Sequence, residues 1–331
     1  MRVSLLCLGL LMLAGCYRNE RTANEVVVYC SVDEPYASKI FADFEQQTGI
    51  HVVPQYDIES SKSVGLAGKL TAEKDHPRAD VWWCSEAFLS VRLAKEGVLA
   101  AYDPPGAVDV PAQFRDAAGH FWTGCALRAR VLAVGSPPPP FEVKGLMDLA
   151  DPRLKNRIAI SRPTAGATGA HLAALYSTWG QDKTRDYLRK LRGNGIQLLG
   201  GNAEVAVQVG NGVYTLGLTD NDDVTDTAAN GGKIIAVVPD QGPDGEGTLA
   251  MPTTVAMING VHHQENAKKL IDYLVSKKVE QRLIDLNFAR WSVRGGPGLE
   301  LKAMKVDYAK AADVYAQAQQ EGTAILEGRM P

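Results

Sequence analysis

From residue 25 onward the chain alternates short β-rich runs with segments of helical spacing, and this alternation limits the available folds more than any other feature. Glu25-Val-Val-Val-Tyr29 is a strand-like run, and a turn follows over 32–35. Residues 36–48 place Ile40, Phe41 and Phe44 at helical spacing, and Gly49 is a helix stop. A second strand fits 50–54, a helix 63–74, a third strand 79–83, and a helix 88–95 that ends before Gly97. Strands separated by helices of this length predict a parallel sheet with helices on its faces. Ligands of such sheets bind outside the carboxyl ends of the strands, so segments 30–36, 57–63 and 84–88 are expected at one cleft.

The same grammar recurs further on. Strands are expected at 128–134, 157–161, 214–218, 234–238 and 253–258. Helices are expected after the small-residue run 164–169 as far as Trp179, at 187–192, and in two closing amphipathic segments near 264–276 and 278–287. Pro137–Pro140 reads as a stiff surface linker. The pattern predicts an α/β chain of two lobes, each a mainly parallel sheet flanked by helices. The chain crosses between lobes near 124–133 and 248–255, assigning 25–127 with 250–331 to lobe 1 and 128–249 to lobe 2. A cleft between such lobes can close by a hinge.

The N-terminus predicts where the chain works. Arg2, a short apolar core over 3–12 and Leu13-Ala14-Gly15-Cys16 have the order of an export signal ending in a lipobox. Residues 1–15 are the expected signal peptide, Cys16 the expected lipidation site, and 16–24 a polar tether. No other apolar run reaches the roughly 20 residues that span a bilayer. The net charge of −3 gives no basic footprint for nucleic acid. Cys30, Cys84 and Cys125 lack a paired CxxC, so buried free thiols or one disulfide are expected rather than a soft-metal site. Trp82, Trp83 and Trp122 read as core or cleft wall.

Enzyme signatures are missing: the sequence has no HExxH, GxSxG, P-loop or complete GxGxxG. The sharpest polar cluster is Asp220, Asp222 and Asp223, delivered by the apolar run Leu216-Gly-Leu218. Asp33, Glu34, Glu59 and Glu86 are directed to the same region. Gathered carboxylates repel one another unless a cation neutralises them, which favours a positively charged ligand. Anion-binding features face the same cleft. Arg162 and the run Thr164 to Gly169, which includes Thr168, open a helix; Ser60, Ser61 and Ser63 precede another; Ser31 follows the first strand; Arg128 and Arg130 lie near the crossing. An anion, alone or beside a metal, is therefore a second expectation, and a hydrolase using Asp220 and Asp223 a third.

Val28-Tyr-Cys-Ser-Val-Asp33, Ala79-Asp-Val-Trp-Trp83, Gly97-Val-Leu-Ala100 and Gly217-Leu-Thr-Asp-Asn-Asp-Asp223 resemble the periplasmic ferric-iron-binding proteins of ABC importers, within the type II extracellular solute-binding proteins. The resemblance runs from about Glu25 to about Arg294. It implies a two-lobe periplasmic-binding-protein fold, no catalysis, a monomer on the periplasmic side of a bacterial membrane, and delivery of ligand to a permease driven by an ATPase. It implies ferric iron as cargo, with or without a synergistic anion, and metal ligands at Asp33, Glu86, Asp222 and Asp223. The chain departs from the family where adjacent tyrosines are replaced by Asp222 and Asp223, and where a histidine is replaced by Asp33. A small organic cation, or an anion such as a phosphonate, is the alternative cargo on the same fold.

Overall fold

A computed structural model describes residues 24–57, 61–295 and 301–330. The signal, the tether with Cys16, and Glu59 and Ser60 lie outside the described residues.

The chain opens with β1 (Glu25–Cys30), α1 (Glu34–Thr48), β2 (His51–Tyr56), α2 (Val64–Ala72), β3 (Val81–Cys84), α3 (Phe88–Lys95) and the short β4 (Leu99–Ala100). Helix α1 forms because Ala37, Ile40, Phe41 and Phe44 make one buried stripe. It stops at Gly49, which takes a left-handed φ of 69° and returns its N–H to the Glu45 carbonyl at 2.8 Å. Strands β2, β1 and β3 lie side by side and parallel. The carboxyl ends of β1 and β3 thus deliver Ser31 and Ser85 to one edge, where the Ser85 N–H donates to the Ser31 hydroxyl at 3.0 Å.

A long strand, β5 (Thr123–Gly135), leaves this lobe. The second lobe holds β6 (Ile158–Ser161), α4 (Gly166–Trp179), α5 (Gln181–Gly193), β7 (Gln197–Leu199), α6 (Asn202–Gly210), β8 (Leu216–Asp220), α7 (Asn221–Ala229) and β9 (Ile234–Val237). The chain returns through β10 (Ala250–Ile258), α8 (Gln264–Leu274), α9 (Lys277–Asp285) and α10 (Tyr308–Leu326). The strand order is β2-β1-β3-β10-β5-β8-β6-β7, with β4 on β10 and β9 on β5. Both lobes pair parallel strands on the outside with antiparallel strands next to the crossing. Strand β5 is common to both: 123–129 pair with β10, and 130–135 pair with β8 and β9. Every residue of β5 and β10 is buried, as strands covered on both faces require.

Several elements differ from the sequence reading. The acidic run past Leu218 splits between two elements: Thr219 and Asp220 end β8, with Asp220 at the N-cap position, and Asn221, Asp222 and Asp223 open α7. Asp and Asn are favoured at helix starts, where they satisfy free N–H groups, and this local chemistry outweighs mutual repulsion. Helix α10 was not expected: its alanine-rich sequence carries little hydrophobic contrast, yet Ala311, Ala312, Tyr315 and Ala318 are buried. It packs on α3 of the first lobe and on α4 and α5 of the second. Lys95 Nζ holds Asp313 at 2.5 Å on one side, and Arg185 Nη2 holds Glu321 at 2.8 Å on the other. The three cysteines are free and buried.

Helix α6 crosses β8 where Gly217 has no side chain. A Cβ there would sit 2.7 Å from Val205 Cγ1 and 3.2 Å from the Ala159 carbonyl oxygen. Gly217→Ala is expected to cost about 1–3 kcal/mol of stability through this overpacking, measured as a lower denaturation midpoint at unchanged m-value.

Candidate functional site: a buried arginine and carboxylate cluster at the lobe crossing

Arg128 and Arg130 are two residues apart on β5 and point to the same side of the sheet. Both meet Asp220, which β8 carries into register opposite Arg130. Arg130 Nη1 donates to Asp220 Oδ1 at 2.6 Å and Arg128 Nη1 to Asp220 Oδ2 at 2.9 Å, so each oxygen of Asp220 has its own guanidinium. Arg130 is fully buried and also reaches Asn202 Oδ1 (3.1 Å), Thr168 Oγ1 (3.0 Å) and the Leu218 carbonyl (3.3 Å). Arg128 extends toward the first lobe. Its Nη2 donates to the Ser85 carbonyl at 3.1 Å, and its guanidinium lies 4.9 Å from the centroid of the Phe288 ring.

Asp222 and Asp223 complete the cluster. One oxygen from each of Asp220, Asp222 and Asp223 can be chosen so that all three lie within 4.8 Å of one another. Arg128 Nη1 also contacts Asp222 Oδ2 at 3.3 Å, while Asp222 Oδ1 is buried and meets no donor among the described residues. Burial pushes the Asp222 carboxyl well above the usual carboxylate range, and the charges of Asp223 and Asp220 add to this against the pull of Arg128. Asp223 is half-buried and has local duties, accepting at Oδ2 from the Thr219 hydroxyl (2.7 Å) and the Asp220 N–H (3.2 Å). Burial and the Asp220 charge push it up to about 7. The two arginines hold Asp220 below its ordinary value despite its burial.

The first lobe brings Asp33, Lys62 and a group of serines. Lys62 Nζ holds Asp33 Oδ1 at 2.5 Å. Ser63 has a left-handed φ of 66° and does not cap α2 with its hydroxyl; that hydroxyl instead donates to Ser31 at 2.9 Å and lies 3.3 Å from Ser85. The lobes meet across the cleft through the Gly166 N–H to the Lys62 carbonyl at 3.1 Å, and through the Tyr36 hydroxyl to Asp226.

The structure therefore brings together Ser31, Asp33, Arg128, Asp220, Asp222 and Asp223, but not every expected residue. Glu86 turns inward: its two oxygens accept from the Phe88 and Leu89 N–H groups at 2.5 and 3.0 Å, capping α3, and burial raises it to about 7. Both lobes of its carboxylate are occupied by backbone, which leaves it poorly placed as a ligand. Arg162 pairs with Glu327 on the exposed surface, and Thr164 is exposed ahead of α4. Thr168 is buried and serves Arg130 rather than an anion. Sequence reasoning placed Tyr36, Lys62 and Ser85 in segments expected at the cleft, and Asn221 in the acidic run, but gave them no role, and it missed Asn202. Asn221 Oδ1 accepts from the Ala129 N–H at 2.8 Å, and Asn202 Oδ1 gathers Arg130, Ser161 and Thr168. Their roles arise from partners 17 to 92 residues away or more, so no local pattern marks them.

The architecture is two lobes joined by crossing strands, with a charged cluster at the junction. Residues 26–285 match the family model of the bacterial extracellular solute-binding proteins, and the chain belongs to that family. These are periplasmic solute-binding proteins that work with the permease and ATPase of an ABC importer, and they are not enzymes. A putative 2-aminoethylphosphonate-binding periplasmic protein of Salmonella typhi is 26% identical over 252 residues, covering 75% of this chain and 71% of the relative. Iron-bound HitA from Pseudomonas aeruginosa superposes with a TM-score of 0.78 at 22% identity, over 90% of this chain and 99% of its own. AfuA from Actinobacillus pleuropneumoniae, with fructose-6-phosphate bound, has a TM-score of 0.78 at 23% identity, over 92% of this chain and 98% of its own. These two likenesses establish the two-lobe fold. Iron-binding relatives keep ferric iron among the candidate cargoes. Among the described residues no helix is long and apolar enough to cross a membrane.

Arg130→Met would leave one oxygen of buried Asp220 without its partner. A loss of about 3–5 kcal/mol is expected, and adding Asp220→Asn should recover part of it. Chemical denaturation of the single and double variants reads both.

Proposed function

We propose that this chain is the solute-binding component of an importer whose cargo carries a single cationic group, an aminoalkylphosphonate being the class that fits best. The observation that carries the reading is Asp222 Oδ1, a buried carboxylate oxygen with no donor among the described residues. Fully ionised, Asp220, Asp222 and Asp223 supply three negative charges against the two positive ones of Arg128 and Arg130, a state reached when a cation displaces the protons that the raised Asp222 and Asp223 carboxyls hold in the free protein. One negative charge is left over, and Asp33 is already balanced by Lys62. A primary ammonium group matches that excess and offers three N–H donors to Asp222 and Asp223. An anionic end would meet the serine hydroxyls of the first lobe. The relatives named as putative 2-aminoethylphosphonate binders agree with this class.

Ferric iron with a synergistic anion is the second reading, favoured by the clustered oxygens of Asp220, Asp222 and Asp223. Charge argues against it as the first. Arg128 stands among the same carboxylates, and both oxygens of Asp220 are already committed to guanidinium groups. We further propose that Cys16 carries a lipid, that the chain acts as a monomer, and that the anchor holds it beside its permease, where tethering raises the local concentration of captured cargo.

Isothermal titration of the mature protein separates the two cargoes. Saturable binding of 2-aminoethylphosphonate is expected, weakened about tenfold or more by Asp222→Asn, since each 1.4 kcal/mol is a factor of ten. Saturable uptake of ferric citrate without any binding of the amine would overturn the reading. The pH profile has a definite sign. Asp222 and Asp223 are both pushed upward, Asp223 to about 7, so protons compete with a cationic ligand below that pH. Affinity is expected to rise as pH increases through about 7. A flat profile in Asp222→Asn with Asp223→Asn checks the assignment.

A further inference from the structure

We propose that Glu280, remote from the carboxylate cluster, is a positioning residue that sets the direction of Arg128 and Arg130 by holding a bulge in the crossing strand. This rests on the reading of the arginine and carboxylate cluster as the ligand site.

The pairing of β5 with β10 slips by one residue. Thr254 faces Gly124 and Thr253 faces Cys125, but Pro252 then faces Leu127 and Met251 faces Arg128. Ala126 is the inserted residue, with φ of 54°, a left-handed conformation that alanine rarely takes. Its N–H is left out of the ladder and donates instead to Glu280 Oε1 at 3.2 Å. The same oxygen accepts from the Val293 N–H at 2.6 Å, and Oε2 accepts from Arg294 Nη1 at 2.8 Å. Glu280 is 3% exposed and comes from α9. Leu127, directly after the bulge, is gripped on both sides: its N–H donates to the Trp291 carbonyl at 2.7 Å, and its carbonyl accepts from the Arg290 N–H at 3.1 Å.

Side chains alternate along a strand, so one inserted residue exchanges the faces of everything beyond it. The insertion at Ala126 therefore decides on which side Arg128 and Arg130 emerge, and both emerge toward Asp220. Without an acceptor for the Ala126 N–H, the left-handed conformation loses its compensation and the ladder gains by absorbing the extra residue. Glu280 acts on ligand through β5, without touching the cluster.

The test uses Glu280→Met, which removes the acceptor at similar volume, Ala126→Gly and their combination in the full mature chain, titrated with 2-aminoethylphosphonate. Glycine adopts the left-handed conformation without help. Glu280→Met should weaken binding roughly tenfold, the scale of a lost buried hydrogen bond. The double variant should return to within about threefold of the wild type, using the same scale. A purely structural role for Glu280 through Arg294 would not be rescued by glycine at 126. Should Glu280→Met fail to fold, Ala126→Val provides the same challenge with Glu280 intact, because a β-branched residue resists this conformation, and it should weaken binding similarly. Amide hydrogen exchange over 124–130 in ligand-free protein supplies an arm independent of cargo: faster exchange in Glu280→Met or Ala126→Val, reversed toward wild type when Ala126→Gly accompanies Glu280→Met. If the wild type does not bind 2-aminoethylphosphonate, the cargo reading fails and the exchange arm alone decides. Wild-type affinity and exchange in Glu280→Met, or a double variant as impaired as Glu280→Met, would overturn the proposal.

Discussion

The two guanidinium groups on Asp220 are the interaction on which the rest of the molecule depends. Arg128 and Arg130 leave the one strand shared by both lobes, and Asp220 ends β8 and starts α7. Their ion pairs therefore fix the second lobe's central strand to the crossing strand at the point where the ladder changes partners. Buried ion pairs of this kind seldom add much net stability, because desolvation offsets their attraction. Their value is directional: a cluster with fully committed donors and acceptors permits few alternative arrangements. Here that commitment is complete for Asp220 and incomplete for Asp222, which separates a structural carboxylate from one free to take a ligand.

The asymmetry follows from helix chemistry as much as from charge. At the start of α7 Asp223 accepts from the Asp220 N–H, and Glu86 caps α3 in a related way. Carboxylates drawn to helix starts are stabilised by free N–H groups there, so two of the acids that line up on the cleft in sequence, Asp223 and Glu86, serve local needs. Asp222 lies one residue inside the helix and has no such duty. The fold thus places a carboxylate with spare acceptor capacity beside two cations that cannot lose their protons, and the surplus charge of the cluster is small. A trivalent metal would meet stronger repulsion from Arg128 than one ammonium group would.

Much of this was legible before any coordinates. Strands β1 to β3 and helix α1 carry clean periodicity, because their buried faces are made of large apolar residues such as Ile40, Phe41 and Phe44. The convergence of Ser31, Asp33 and Asp220 follows from the rule that parallel strands present their carboxyl ends to the cleft. What stayed hidden has physical causes. Helix α10 buries small alanines and so shows little amphipathic contrast. The start of α7 looks like a solvated loop because capping residues and loop residues share a composition. The partnership of Arg128 with Ser85, and of Asn202 with Arg130, joins segments 43 and 72 residues apart, a distance over which no spacing rule operates. The roles of Glu86 and Arg162 differ from expectation for the same reason: helix capping and an unforeseen C-terminal helix supplied nearer partners.

On the proposed reading, the one carboxylate charge in excess of the two guanidinium groups, freed as Asp222 and Asp223 lose their protons, recognises one cationic group of the cargo. Proton release on binding tests it most directly, measured by titration calorimetry at pH 6.5 in buffers of different ionisation enthalpy. Acids whose protons are held tightly in the free protein must lose them to a bound cation, so 2-aminoethylphosphonate should release up to about one proton per ligand, and Asp222→Asn should abolish most of that release. Binding with no proton release, or with net uptake, would contradict the assignment of the ammonium group to Asp222 and Asp223.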